Sequence, residues 1–177
     1  MNRKTLLLLI VGFAVLIVIA LLQTQPGAVF RPEATLSAYR IMGQELNMTA
    51  ADLIGVRLRD LVGGGSLTLS RDSAGQWSIE GLGSSDPQAA SNIVKTVVLL
   101  PFQSTIPIES NTNLADFGFA PQGILSIEMV RQDGRTHAIA VGGLTAARSA
   151  YYAVADTLTQ IYVLERAAVD YLIVQFR

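Results

Sequence analysis

The chain has 177 residues, 13 basic and 14 acidic side chains, one histidine and no cysteine; half of it is hydrophobic and 15% is charged. Without cysteine there is no disulfide framework, iron–sulfur cluster, c-type haem attachment or lipid-modified N-terminal cysteine, and one histidine leaves no histidine-based zinc or haem site. A net charge of −1 offers no basic face to nucleic acid, so no nucleic-acid partner is expected.

The N-terminus reads Met1-Asn2-Arg3-Lys4-Thr5, and the next 17 residues, Leu6 to Leu22, carry no polar side chain. As a helix this run spans about 26 Å, enough for the hydrocarbon core of a bilayer, where the backbone must satisfy its own hydrogen bonds. The sequence therefore predicts a transmembrane helix over 6–22, with Leu6, Gly12, Phe13 and Leu22 anchored in membrane lipid. Arg3 and Lys4 precede it and no charge follows before Arg31. The positive-inside rule then holds residues 1–5 in the cytoplasm and exports the rest across the cytoplasmic or inner membrane, to the periplasmic or extracellular side. A cleaved signal peptide is the competing reading, disfavoured by the length of the run and the lack of a small-x-small site after it. A buried core helix would show a polar face, and the run has none. Gly12 has no second glycine at helix-dimer spacing and is read as a glycine tolerated in lipid.

Residues 23–52 read as a linker and a short helix. Gln23 to Glu33 holds two prolines and a glycine. Leu36, Tyr39, Met42 and Leu46 then follow helical spacing, which predicts a helix over Ala34 to Leu46. Without Arg3 and Lys4 the remainder of the chain has 11 basic against 14 acidic side chains, a net charge of −3.

Residues 53–177 form the predicted exported domain. Ile54, Val56 and Leu58 alternate with Gly55, Arg57 and Arg59, the period of a half-buried strand. Gly63-Gly64-Gly65 breaks the chain, and Leu67 and Leu69 alternate with serine and threonine. A turn over Arg71 to Gln76 leads to a returning strand from Trp77 to Glu80. Asp86-Pro87 signals a helix start, Ala90, Ile93, Val94, Val97 and Leu100 form its apolar stripe, and Pro101 ends it. Phe102 to Ile108 is extended, and Asn111 to Asp116 is a helical turn closed by Gly118. Leu125, Ile127 and Met129 mark a strand over Ile124 to Arg131. Asp133-Gly134 is a hairpin turn, Thr136 to Val141 returns, and Gly142-Gly143 is expected to stop it. Tyr151 to Ala155 and Ile161 to Leu164 form a further hairpin, followed by a helix over Arg166 to Val174.

The segment Leu69 to Trp77 echoes Met129 to His137: strand, arginine, polar turn, strand. The expected fold class is α+β: an N-terminal transmembrane helix, then one mostly antiparallel sheet domain with packed helices, open to reading as two hairpin–helix repeats.

The ordered set Ala51 to Leu58, Leu67 to Arg71, Gly75 to Ile79, Leu114-Ala115-Asp116-Phe117-Gly118-Phe119-Ala120-Pro121, Ile139 to Gly143, Tyr151 to Val154 and Ile161 to Leu164 resembles the bacterial domain-of-unknown-function 4340 family, over roughly residues 50–175. Phe119 stands where that family often has leucine. The resemblance implies a bacterial cell-envelope protein with one N-terminal anchor, similar to auxiliary components found with ABC-type transporters. It brings no catalytic motif.

The chemistry-bearing residues form no diagnostic set. His137 lacks a nucleophile and an orienting acid at recognisable spacing. Gly63-Gly64-Gly65 lacks the lysine of a phosphate loop and precedes a strand. Asp52, Asp60, Asp72, Glu80, Glu128 and Asp133 fall at strand ends and turns, and Asn47-Met48-Thr49 is a glycosylation sequon without bacterial meaning. Catalytic, cofactor and metal residues are therefore expected to be absent. Tyr151 and Tyr152 are the candidate partner surface, one ring facing inward and one outward. The sequence thus points to a non-enzymatic, single-pass accessory subunit stabilising a larger bacterial membrane complex, a transporter or an electron-transfer assembly, with other subunits as partners. The alternative is an extracytoplasmic ligand- or partner-binding module of an ABC-type export system. An enzyme built on His137 is disfavoured.

Overall fold

The computed structural model describes residues 40–44, 46–80 and 87–176. They fall within one compact unit. In chain order the elements are α1 (Ile41–Gln44), a 3-10 turn (Ala50–Asp52), β1 (Leu53–Asp60), β2 (Ser66–Arg71), β3 (Trp77–Ile79), α2 (Pro87–Leu99) and β4 (Phe102–Pro107). A second 3-10 turn (Leu114–Phe117) follows, then β5 (Leu125–Arg131), β6 (Thr136–Leu144), β7 (Ala150–Ala155), β8 (Gln160–Glu165) and α3 (Arg166–Val174).

All eight strands join one sheet in the order β3-β2-β1-β5-β6-β7-β8-β4, and every pairing is antiparallel. This corrects the expected α+β class with its two hairpin–helix repeats. Among the described residues the helices are few and short, at 4, 13 and 9 residues. The echoing hairpins β2–β3 and β5–β6 are not separate units, because β5 zips onto β1 and the strand after α2 crosses to the far edge to pair with β8. A two-stranded hairpin alone is marginally stable, and joining β1 to β5 gives both strands a second neighbour. Among the described residues no helix is long and apolar enough to cross a membrane. The anchor read over 6–22, with Leu6, Gly12, Phe13 and Leu22, lies outside the described residues, as do the linker, the first residues of the helix read from Ala34, and the Asp86 cap.

The core lies on one face of the sheet. Across the registers Val56 meets Met129, Leu58 meets Ile127, Ile127 meets Ile139, and Val141 meets Ala153, all buried. The stripe Ala90, Ile93, Val94 and Val97 of α2 and Val169 and Leu172 of α3 belong to the same cluster. Burying one such large aliphatic side chain contributes about 1.5–3 kcal/mol. The connection from β3 at one edge to β4 at the other carries α2 across the sheet, which is why its stripe meets the core.

Two local expectations change. In β1, Leu53 is buried and Ile54 is 40% exposed, the reverse of simple alternation. The register shifts between Leu53 and Gly55 against β5, and this bulge turns Ile54 outward. Gly142-Gly143 does not end β6, which continues to Leu144. Instead the pair makes a bare shelf for the segment after the second 3-10 turn. Gly118 sits there at φ 77°, and a Cβ on it would collide with the backbone of Gly143. A Cβ on Gly142 would collide with the Phe117 carbonyl oxygen and lie 3.0 Å from the Phe119 ring. The Phe117 ring packs edge-on to Tyr152, centroids 5.0 Å apart, so this segment covers part of the face opposite the core.

Candidate interaction surfaces

The buried stripe of α2 leaves its flank (Asn92, Lys95, Thr96 and Leu99) turned toward α3, which contributes Ala168 and Tyr171. Between them lies an open groove of about 460 Å³, with Arg40 and Pro101 completing its lining. An antiparallel bridge between Arg40 and Pro101 holds that end in place. The lining is mostly apolar. Among the described residues it holds two cations, Arg40 and Lys95, and no acidic residue. Among the described residues neither cation takes part in an ion pair. The apolar stripe read from the sequence gives the buried face of this helix and not the groove on its flank. Its second wall comes from a helix some 70 residues later, and no local pattern announces that juxtaposition.

Tyr151 and Tyr152 divide as alternation requires. Tyr151 is 8% exposed and donates a hydrogen bond to Asp170 Oδ1 at 2.8 Å. Burial pushes its pKa above the ordinary 10.0, and the hydrogen bond to Asp170 pushes the same way. The Tyr151 bond ties β7 to α3, and within α3 Asp170 also accepts from Arg166 Nε at 3.0 Å. Tyr152 is half-buried beneath Phe117.

His137 faces Asp156 at 2.9 Å through Nδ1, while its buried Nε2 has no hydrogen-bond partner among the described residues. No hydroxyl nucleophile is hydrogen-bonded to this ring among the described residues, so the pair links β6 to the turn after β7 and assembles no triad.

The carboxylates mostly close turns. Asp60 Oδ1 accepts from the N–H groups of Val62 and Gly63 at 2.9 and 2.8 Å, shaping the Gly63-Gly64-Gly65 loop. Asp72 accepts from Gln76 N–H at 2.8 Å, and Asp133 from Arg135 N–H at 3.0 Å. Glu128 pairs with Arg57 at 3.3 Å across the β1–β5 seam. Asp52 accepts from the hydroxyl and the N–H of Thr49, both at 2.8 Å, and these bonds, the hydroxyl first, hold its carboxyl below the ordinary 3.8. Among the described residues no three histidine or acidic side chains gather as a metal site. The groove between α2 and α3 differs from these turns in joining a mostly apolar lining to two cations. No protein-family model matches the chain, and no curated protein and no solved structure gives a significant match.

Proposed function

We propose that this chain is a non-enzymatic accessory subunit that stabilises a larger bacterial membrane complex, a transporter or an electron-transfer assembly. The observation that carries the reading is the open, mostly apolar groove between α2 and α3 with two cations that form no ion pair among the described residues. Such a surface suits a neighbouring protein. The apolar run 6–22, flanked by Arg3 and Lys4, supports a single-pass anchor with the domain on the periplasmic or extracellular side. The ordered segments that resemble the envelope-protein family point the same way. Mild detergent extraction followed by native-gel mass analysis tests it. The chain should comigrate with fixed partners, and migration alone at its own mass sinks the reading.

The same groove supports a second reading, an extracytoplasmic ligand- or partner-binding module of an ABC-type export system. Its volume lies within the usual range for small-molecule sites. Native mass spectrometry separates the two. A binding module carries a small-molecule adduct when isolated as a monomer, and an accessory subunit carries a protein partner.

A further inference from the structure

We infer that the valley between α2 and α3 receives an acidic amphipathic helix of a neighbouring subunit. The inference rests on the accessory-subunit reading and names the partner's chemistry. Along α2 the lining residues run Asn92, Lys95, Thr96, Leu99, the i, i+3, i+4, i+7 flank of one helix. They extend over about 10 Å, or two helical turns, the length that apolar anchors at i, i+3 or i+4, and i+7 of a docked helix occupy.

Other occupants fit less well. The groove is open along its side, whereas small-ligand sites bury most of the ligand surface. An extended peptide needs free main-chain groups to pair with. Here most of the lining is side chains of two helices, Arg40 and Pro101 are already paired with each other, and Pro101 has no N–H. A helix needs only side-chain contacts. It would lay apolar residues against Leu99, Ala168, Pro101 and the Tyr171 ring, which is 37% exposed. Arg40 and Lys95, with no acid in the lining among the described residues, favour carboxylates on the incoming helix, within about a turn of those anchors. A basic helix would bring like charges together in a partly desolvated groove.

The test uses the full chain in its own membranes, with Thr96→p-benzoyl-phenylalanine as a photo-cross-linker. A second chain carries the same group at Gln132, on the β5–β6 turn. Illumination at position 96, and not at 132, should yield one peptide from a subunit that comigrates on the native gel. That peptide should hold apolar residues at helical spacing with Asp or Glu beside them. Arg40→Glu together with Lys95→Glu should lower the yield about tenfold, while Lys95→Arg preserves it. Far-UV circular dichroism on the reversed variant checks that the fold persists. A lipid adduct, a second copy of this chain, a peptide without carboxylates, or no adduct while the complex still comigrates each overturns the inference and leaves the accessory-subunit reading standing. A chain that migrates alone removes both.

Discussion

Gly118 and Gly142 mark a close approach of two backbone segments, and alanine substitution measures what that approach is worth. Gly118→Ala meets two penalties: a left-handed φ of 77° and a Cβ driven into the Gly143 backbone. The first costs about 1–2 kcal/mol and overpacking against groups that cannot move away costs about 1–3, so about 2–5 kcal/mol is expected. Gly142→Ala meets only the second, against the Phe117 carbonyl and the Phe119 ring, and should cost about 1–3 kcal/mol. Gly134 has φ 82° but nothing within 4 Å of an added Cβ, so Gly134→Ala isolates the conformational term at about 1–2 kcal/mol. Gly43, in α1, has neither constraint, and Gly43→Ala should be neutral or stabilising by up to about 1 kcal/mol. Urea unfolding of the full chain in mild detergent, followed by the fluorescence of its single tryptophan, Trp77, reports the series as midpoint shifts. If Gly118→Ala costs no more than Gly134→Ala within about 0.5 kcal/mol, the close packing argued for the 117–119 segment is refuted.

Tyr151→Phe removes the hydrogen bond to Asp170 and should cost about 0.5–1.5 kcal/mol at neutral pH, read from urea midpoints. The raised Tyr151 pKa adds a pH dependence: folded stability stands below pH 10.0 and is lost as pH rises from there through the folded value, a loss that Tyr151→Phe should abolish. Asp52 has the opposite sign. Its contribution stands above pH 3.8 and is lost as pH falls through its lowered pKa, and Thr49→Ala should return that pKa toward 3.8 in a carboxyl-carbon NMR titration. Ile127→Ala, at a fully buried site in the central strand, should cost about 2–5 kcal/mol in the same denaturation assay. Deleting residues 6–22 should move the chain from the carbonate-resistant membrane fraction to the soluble one; retention in the membrane would remove the proposed tether.

What the sequence made legible was local. Period-2 alternation located β2 through Leu67 and Leu69 and β5 through Leu125, Ile127 and Met129, and the helical stripe of α2 read correctly from Ala90 to Val97. Alternation failed at Ile54 because a bulge inserts a residue without any composition cue. It failed at Gly142-Gly143 because the same dipeptide that breaks a strand also lets another backbone lie against it. Which strand pairs with which was out of reach: β1 and β5 carry equally ordinary patterns, and their union depends on chain closure some 70 residues long. The groove was hidden for the same reason. Lys95 and Tyr171 belong to helices whose neighbourhood only the whole sheet dictates, while Tyr151 and Tyr152 stood out by type and proved to be largely occupied by internal contacts.

The seam between β1 and β5 also bears on the order in which the protein can be built. Leu53–Asp60 waits for Leu125–Arg131, and Phe102–Pro107 waits for Gln160–Glu165. Until those strands leave the ribosome, the first half of the chain has only its own β1–β2–β3 meander to hold. Such distant pairings make folding slow and all-or-none. They leave the apolar stripe of α2 covered only by β3 and the Ala50–Asp52 turn until the later strands arrive, a window in which aggregation competes with completion.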